Sequence, residues 1–348
     1  VKPGRVTMQD VADLAGVSKS TVSLAFRDSK KLAESTVSRV MQVADSLGYT
    51  QDPAARMLRT RKTNSLGILL PQQIDRILEN PYYSMFMQGV GAICQREGLT
   101  LLLVPPLRGS MLKAIPYAAV DGFIVCGLEE DRGEVSALKQ RGVPAVMVDG
   151  ETHDGLSSIS LDESPATIEL IRHVLSLGHQ RIALLVIDTD EANDPLLWRG
   201  SVRRRMDATL TALAEAGLSL DNPNISVMQV PCTREGGATA FAHLWSQHER
   251  PTAIVAFSDV IALGVLEAAH RAGVDIPSEL SITGFDDIEE AASAFPPLTT
   301  VHQPIVTKGR LAAEFLVNAM AGVNKGPRHE RLAATLFIRD STAHVPQY

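Results

Sequence analysis

Two hydrophobic rhythms run along the chain. Up to about residue 50, apolar positions recur every three or four residues in short bursts, the spacing of one helical face. Val11, Leu14 and Ala15 form the first burst, Val22, Ala25 and Phe26 the second, and Val37, Val40, Met41, Ala44 and Leu47 the third. Polar signals punctuate them. Thr7 and Asp10 have the spacing of a capping box, and Gly16 stops the first helix after Ala15. Ser18 caps a second helix over 19–27, and a third runs from Ser35 to a stop at Gly48. From Ser65 onward the rhythm changes. Continuous apolar runs at 66–70, 100–104, 122–126, 145–148, 182–186, 225–230, 253–257 and 281–285 read as buried strands. Helical stretches at 82–97, 134–141, 163–177, 200–216, 235–248, 260–272 and 305–321 lie between or after them. Strands alternating with helices predict parallel sheets covered on both faces. About 275 residues is long for one open sheet, so two similar lobes are expected, with a ligand cleft at the strand C-terminal ends.

The expected fold class is therefore α/β: a three-helix helix-turn-helix head, a basic linker (a hinge helix by the resemblance given below), then two Rossmann-like parallel-sheet lobes. The turn Ala15-Gly16-Val17-Ser18 is tight enough to project the second helix, whose outward residues are Lys19, Ser20, Ser23, Leu24 and Arg27. Such residues reach base edges and phosphates in a major groove. The segment 51–64 opens with Asp52-Pro53, suited to a helix start. It is short and basic and lacks a broad apolar face, so it reads as a linker that folds only on its target.

Charge sharpens the division. The whole chain carries −7, but residues 1–65 hold 11 Lys/Arg against 6 Asp/Glu and the remainder holds 22 against 34. A basic head on an acidic body is a nucleic-acid-binding signature. With 45% hydrophobic and 21% charged residues the composition is globular, which excludes a disordered chain. No apolar run approaches the ~20 residues of a membrane span, and the N-terminal residues lack a secretory apolar segment. Three scattered cysteines, Cys94, Cys126 and Cys232, fit a reducing compartment, and the expectation is a cytoplasmic protein without a membrane partner.

Catalytic patterns are weak. Gly89-Val90-Gly91 lies inside a helical stretch with Cys94 at the third glycine position, which excludes a dinucleotide-binding fingerprint. No phosphate-binding loop, zinc-protease motif or paired CxxC is found, and the nine histidines lack ligand spacing. Neither metal nor cofactor nor enzymatic activity is expected. Polar residues following the predicted strands should instead face the cleft. Asp149, the Ser258-Asp259 pair and the Asp286-Asp287 pair are so placed. Carboxylates there accept paired hydrogen bonds from hydroxyls, although each Asp alone also fits a helix N-cap, Asp259 above all. Tyr82 and Tyr83 offer flat faces for a sugar or base, and Arg205 offers a forked donor.

These segments together resemble the lactose-repressor (LacI/GalR) family. The likeness is carried by Val6-Thr7-Met8-Gln9-Asp10-Val11-Ala12, Gly16-Val17-Ser18-Lys19-Ser20-Thr21-Val22-Ser23, Leu47-Gly48-Tyr49 and Ala54-Ala55-Arg56-Met57-Leu58. Gly178-His179-Gln180-Arg181-Ile182, Ser258-Asp259-Val260-Ile261-Ala262-Leu263-Gly264, Gly284-Phe285-Asp286-Asp287, Pro297-Leu298-Thr299-Thr300-Val301 and Arg339-Asp340-Ser341-Thr342 continue it. It spans essentially the whole chain in order. The resemblance implies a homodimeric bacterial transcriptional regulator, usually a repressor, that binds a pseudo-palindromic operator DNA and is switched by a small-molecule effector. It implies that Lys19, Ser20 and Leu24 read bases and that Thr21 and Ser23 contact or flank phosphate. Thr7, Ser18 and Arg27 complete the candidate DNA contacts in the head. Leu58 matches a hinge leucine that wedges into the minor groove, accompanied by Ala55 and Arg56.

Asp149, Arg205, Ser258 and Asp286 match effector positions, and Tyr82 and Tyr83 an aromatic pair that stacks on the ligand. A sugar is the first expectation and a nucleoside or purine the second. The implied domains are 1–50, 51–64 and a core over 65–342. Its N-subdomain takes about 65–162 and 303–322, and its C-subdomain about 163–302 and 328–342. Leu24 stands where arginine is common in the family, Ser258 where asparagine is common and Ala208 where glycine is. The acidic loop 188–199 brings Trp198 toward the expected pocket rim. The absence of a leucine-heptad tail after Thr342 predicts a dimer without a tail-linked tetramer. A periplasmic-type carrier and an enzyme on an α/β scaffold are the alternatives from other classes; the missing secretory segment and the DNA-binding head argue against the first, and the lack of any nucleophile, metal or cofactor constellation against the second.

Overall fold

The computed structural model describes residues 6–128, 130–188, 195, 197–323 and 326–345. The chain divides into two compact units, Val1–Thr63 and Asn64–Tyr348.

In the first unit, helices Met8–Ala15, Lys19–Arg27 and Glu34–Leu47 enclose a small core of Val11, Ala12, Ala15, Val22, Ala25, Val40 and Ala44. The capping box forms as the spacing demands: Thr7 Oγ1 accepts from the Asp10 amide, and the Asp10 carboxylate accepts from the Thr7 amide. Gly16 takes a left-handed conformation (φ 63°), which lets the chain turn into the second helix without a Cβ penalty. Ser18 Oγ accepts from the Thr21 amide at 3.1 Å, fixing the start of that helix. Phe26 meets Tyr49 edge to face at 5.8 Å and closes the bundle. The segment after it, Pro53–Thr60, is helical, as the expected linker helix requires, with the Asp52 carboxylate accepting from the Ala54 amide at 2.9 Å. That N-terminal cap and Pro53 in the first turn supply the local support missing from its apolar pattern.

The second unit holds two six-stranded sheets. The strands are β1 Ser65–Leu69, β2 Thr100–Val104, β3 Gly122–Cys126, β4 Ala145–Val148, β5 Ser157–Asp162, β6 Ile182–Ile187, β7 Ile225–Val230, β8 Ala253–Ala256, β9 Ser281–Asp286, β10 Thr299–His302, β11 His329–Ala333 and β12 Thr335–Phe337. The first sheet runs β11-β5-β4-β3-β1-β2 and the second β12-β10-β9-β8-β6-β7. Every pairing is parallel except the antiparallel β10–β12. The chain therefore passes between lobes after β5, after β10 and after β11. One expectation is corrected here. The segment 328–342 does not fall wholly in the second lobe, because β11 pairs with β5 in the first sheet and only β12 joins the second. Pairing partners set by the tertiary fold, which periodicity does not specify, decide this.

Gly89 belongs to helix packing. Helices Pro81–Glu97 and Ile305–Met320 pack so closely that a Cβ on Gly89 would lie 2.0 Å from the Val306 carbonyl oxygen. This near-backbone contact anchors the two helices that carry Tyr82, Tyr83 and Lys308.

Candidate functional site

In the head, the second helix buries Val22 and Ala25 and leaves Ser18, Lys19, Ser20 and Arg27 exposed, with Thr21, Ser23 and Leu24 half-buried. Ser18 Oγ lies 2.7 Å from Ser20 Oγ and 2.8 Å from Thr21 Oγ1, so the hydroxyls hold one another in place at the exposed helix start. The Thr7 amide and hydroxyl, both donating to Asp10, hold that carboxyl below the usual carboxylate range. Thr7 thus acts first as a cap. On the helix Pro53–Thr60, Leu58 is 80% exposed, an apolar side chain on a polar helix. The side chains of Ala55 and Arg56 lie outside the described residues.

In the second unit, a cavity of about 570 Å³ opens between the lobes. Tyr82, Tyr83, Cys126 and Asp149 line it from the first lobe, and Arg205, Cys232, Ser258 and Asp286 from the second. All six expected effector residues come together there, but most are already engaged. Asp286 accepts from Ser258 Oγ at 2.9 Å and from Gln303 Nε2 at 2.6 Å, one bond to each oxygen. Arg205 donates to Glu163 Oε2 at 2.8 Å and to the Phe257 carbonyl at 2.5 Å, and its guanidinium stacks 3.6 Å from the Phe285 ring centre. Asp149 Oδ2 accepts from Lys308 Nζ at 2.6 Å and from Tyr82 Oη at 3.0 Å. Its other oxygen, Oδ1, is buried without a hydrogen-bond partner. Tyr82 and Tyr83 meet edge to face at 85°, so they do not offer two parallel stacking faces.

Burial dominates the electrostatics. It pushes the Asp286 carboxyl up, against the opposing pull of Arg205, Ser258 and Gln303. Burial opposes the Arg205 charge, yet Glu163 and Asp286 hold its pKa above the ordinary value. The Tyr82 and Tyr83 hydroxyls are raised by burial and, for Tyr82, by the adjacent Asp149 charge. Burial also raises the Cys232 thiol to about 11, so both it and the buried Cys126 stay protonated and poorly nucleophilic.

Two expectations change. Asp259 is not an N-cap. Its carboxylate accepts from Thr300 Oγ1 at 2.6 Å and from the Ile288 amide at 2.9 Å, pinning β10 and the turn after β9. Trp198 is not at the pocket rim. It is 2% exposed and packs in the second lobe's core with Val202 and Ile182, where burying its large apolar surface is more favourable than exposing it. Residues 189–194 and 196 of that loop lie outside the described residues.

The structure also adds residues that sequence reasoning passed over. Glu163 sits at the N-cap position of helix Ser164–Ser176 but spends its carboxylate on Arg204 and Arg205. Gln303 lies in the crossover after β10. Lys308 is fully buried on the helix Ile305–Met320. A signal for it existed: Ile305, Lys308 and Ala312 share one buried helical face, where a lysine is out of place without a partner. Among the described residues, no cluster of His, Cys, Asp or Glu could hold a metal ion.

Two family profiles match the chain. The one described as bacterial regulatory proteins, lacI family, covers residues 7–52, and a periplasmic binding protein-like domain covers 171–342. The ribose operon repressor of Haemophilus influenzae is 30% identical over 342 residues, spanning 96% of this chain and 98% of its own. The chain belongs to the LacI family. A transcriptional repressor named PurR, from Photobacterium profundum, is 29% identical over 343 residues, 96% of this chain and 98% of its own. A LacI-family regulator from Enterococcus faecium, solved with bound ribose, is 25% identical with a TM-score of 0.69, covering 80% of this chain and 99% of that one. As a LacI-family protein the chain is a DNA-binding transcriptional regulator with an effector-type core, not an enzyme. No helix among its described residues is long and apolar enough to cross a membrane.

Proposed function

We propose that this regulator is a repressor that grips a two-fold operator as a homodimer in the cytoplasm and is switched by an uncharged sugar bound between its lobes. The observation that carries the effector class is the buried, unpartnered Oδ1 of Asp149 in a cavity whose other charges are spoken for. Arg76 pairs with Glu79, Glu163 with Arg204 and Arg205, and Asp149 with Lys308. With Asp286, whose charge also raises the Arg205 pKa, the four cations Arg76, Arg204, Arg205 and Lys308 meet four carboxylates, so none is in surplus to hold a phosphate or carboxylate, whereas a sugar hydroxyl satisfies the lone acceptor. The ribose-named relative and the ribose-bound neighbour fit this reading. A purine is the second reading. It is supported by the Tyr83 side chain in the cavity lining and by the relative named PurR.

In the head, Lys19, Ser20 and Leu24 would read bases in the major groove, with Thr7, Ser18, Thr21, Ser23 and Arg27 positioning the helix on phosphates. Leu58, flanked by Ala55 and Arg56, would wedge into the minor groove at the operator centre. Effector binding changes the lobes and thereby the paired hinges.

A thermal-shift screen against pentoses, hexoses, disaccharides, nucleosides and purines tests the effector reading. A ligand at a hundred times its Kd adds about 2.7 kcal/mol, several degrees for a domain of this size. The expected result is a shift with a sugar that Asp149→Asn removes. A shift with purines alone would overturn the sugar reading.

A further inference from the structure

Behind the wall of the pocket lies one fully buried cation. Lys308 is 0% exposed, and its Nζ lies 2.6 Å from Asp149 Oδ2, 2.8 Å from Gln303 Oε1 and 3.3 Å from Tyr82 Oη. An ammonium has three N–H donors, and three acceptors surround this one. It has no donor left for an effector.

Its partners belong to different parts of the fold. Asp149 follows β4 and Tyr82 starts a helix packed on the first sheet, while Gln303 lies in the crossover that carries the chain from the second lobe to the first. The Gln303 amide has a defined orientation. Its oxygen faces the Lys308 ammonium, and its nitrogen donates to Asp286 Oδ1 at 2.6 Å. The Gln303 backbone amide also donates to the Asp286 carbonyl at 3.3 Å, and Ser258 Oγ donates to the remaining Asp286 oxygen. One buried polar chain thus runs Tyr82–Asp149–Lys308–Gln303–Asp286–Ser258 from lobe to lobe. Its two carboxylates sit on residues with left-handed backbones, Asp149 at φ 57° and Asp286 at φ 125°. Such strain persists only where the surroundings hold it. A buried ion pair stabilises little compared with an apolar side chain of the same size. Its directionality is what a leucine or methionine could not supply.

We propose that Lys308 is a positioning residue that couples the effector pocket to the lobe crossing. It orients Asp149 so that one oxygen is left without a protein partner, and it hands any change in that carboxylate to Gln303 and so to Asp286 in the second lobe. A ligand that donates to Oδ1 draws charge from the carboxylate that holds Lys308, and the strength of each link depends on its neighbours. The inference rests on the effector reading above for its ligand, but not for its geometry.

Two measurements on Lys308→Met and on Asp149→Asn/Lys308→Met test it. The double variant replaces the ion pair by uncharged groups and serves the exchange measurement if the single variant does not fold. The first measurement is hydrogen exchange without any effector. Amides of Gln303 and Ile305 should exchange at least tenfold faster in either variant, while those of Leu184 and Val255 in the second lobe's core stay unchanged. Unaltered exchange at the crossover overturns the proposal. The second is operator affinity with and without saturating D-ribose. The wild-type response should fall to under threefold in Lys308→Met, which keeps Asp149, even at saturation. A purely structural role would lower Tm and leave that saturated ratio intact, and an intact ratio overturns the proposal. If D-ribose leaves wild-type affinity unchanged, ribose fails as the effector and the exchange measurement alone decides the relay.

Discussion

Replacing Glu163 by alanine removes the acceptor that holds Arg205 in the pocket wall. Glu163 is 1% exposed, and its two oxygens accept from Arg204 Nε at 2.7 Å and Arg205 Nε at 2.8 Å. The Arg204 side chain is 36% exposed, and water replaces much of what it loses. Arg205 is 7% exposed and has no such recourse. Breaking a buried pair by removing one partner costs about 3–5 kcal/mol, because the remaining charge stays desolvated. The Phe257 carbonyl, the Phe285 ring and the nearby Asp286 still hold the guanidinium, which places the loss near the lower end, about 3 kcal/mol. At about 2–4 °C per kcal/mol, calorimetry of the variant should show Tm falling by about 6–12 °C. The double variant Glu163→Ala/Arg205→Met separates the causes. With the Arg205 charge gone, and with Asp286 able to take up a proton because burial already raises its pKa, it should be more stable than Glu163→Ala alone, a non-additivity readable from a double-mutant cycle. A loss under about 1 kcal/mol for Glu163→Ala, the range of a surface pair, would refute the account. So would a double variant less stable than the single one.

Three further perturbations follow from the same structure. Gly89→Ala should destabilise the core unit by several kcal/mol in urea titration, since its Cβ would sit 2.0 Å from the Val306 carbonyl and only a shift of one helix can relieve it. A wild-type midpoint would contradict that packing. His179, bonded to Thr252 Oγ1, Ser281 Oγ and the Ala343 carbonyl, has its pKa lowered from 6.5 by burial. The unfolded chain therefore takes up the proton first. Stability is full above about pH 6.5 and falls as pH drops toward the lowered folded value, with His173 adding in the same direction. His179→Gln should flatten part of that limb, and an unchanged slope between pH 6.5 and 5 would exclude the assignment. Leu58→Ala should weaken binding to an operator selected from random DNA more than binding to unrelated duplex, because a wedge acts at one base step. Equal losses in fluorescence anisotropy would remove the wedge.

Local rules were readable in the sequence wherever neighbours along the chain decide the outcome. The capping box at Thr7 and Asp10, the left-handed turn at Gly16, the Ser18 cap and the strand–helix alternation need only residues within a few positions of one another. The cleft position of Asp149 and Asp286 followed from the same logic, since the C-terminal end of a parallel strand faces the crevice whatever the partner strands are. Long-range pairing was not legible. Lys308 and Asp149 are 159 positions apart, and Glu163 and Arg205 are 42 apart. Nothing local distinguishes such carboxylates from helix caps. The fate of each expected ligand contact was likewise settled by the tertiary structure. A strand end states that a carboxylate faces a cavity, but only the packed neighbours state which of its oxygens is already taken. In the folded chain Asp286 is spent on Ser258 and Gln303, and one buried oxygen of Asp149 is left without a partner. Periodicity is a property of neighbouring residues, whereas satisfaction of a buried polar atom belongs to all the elements that meet around it.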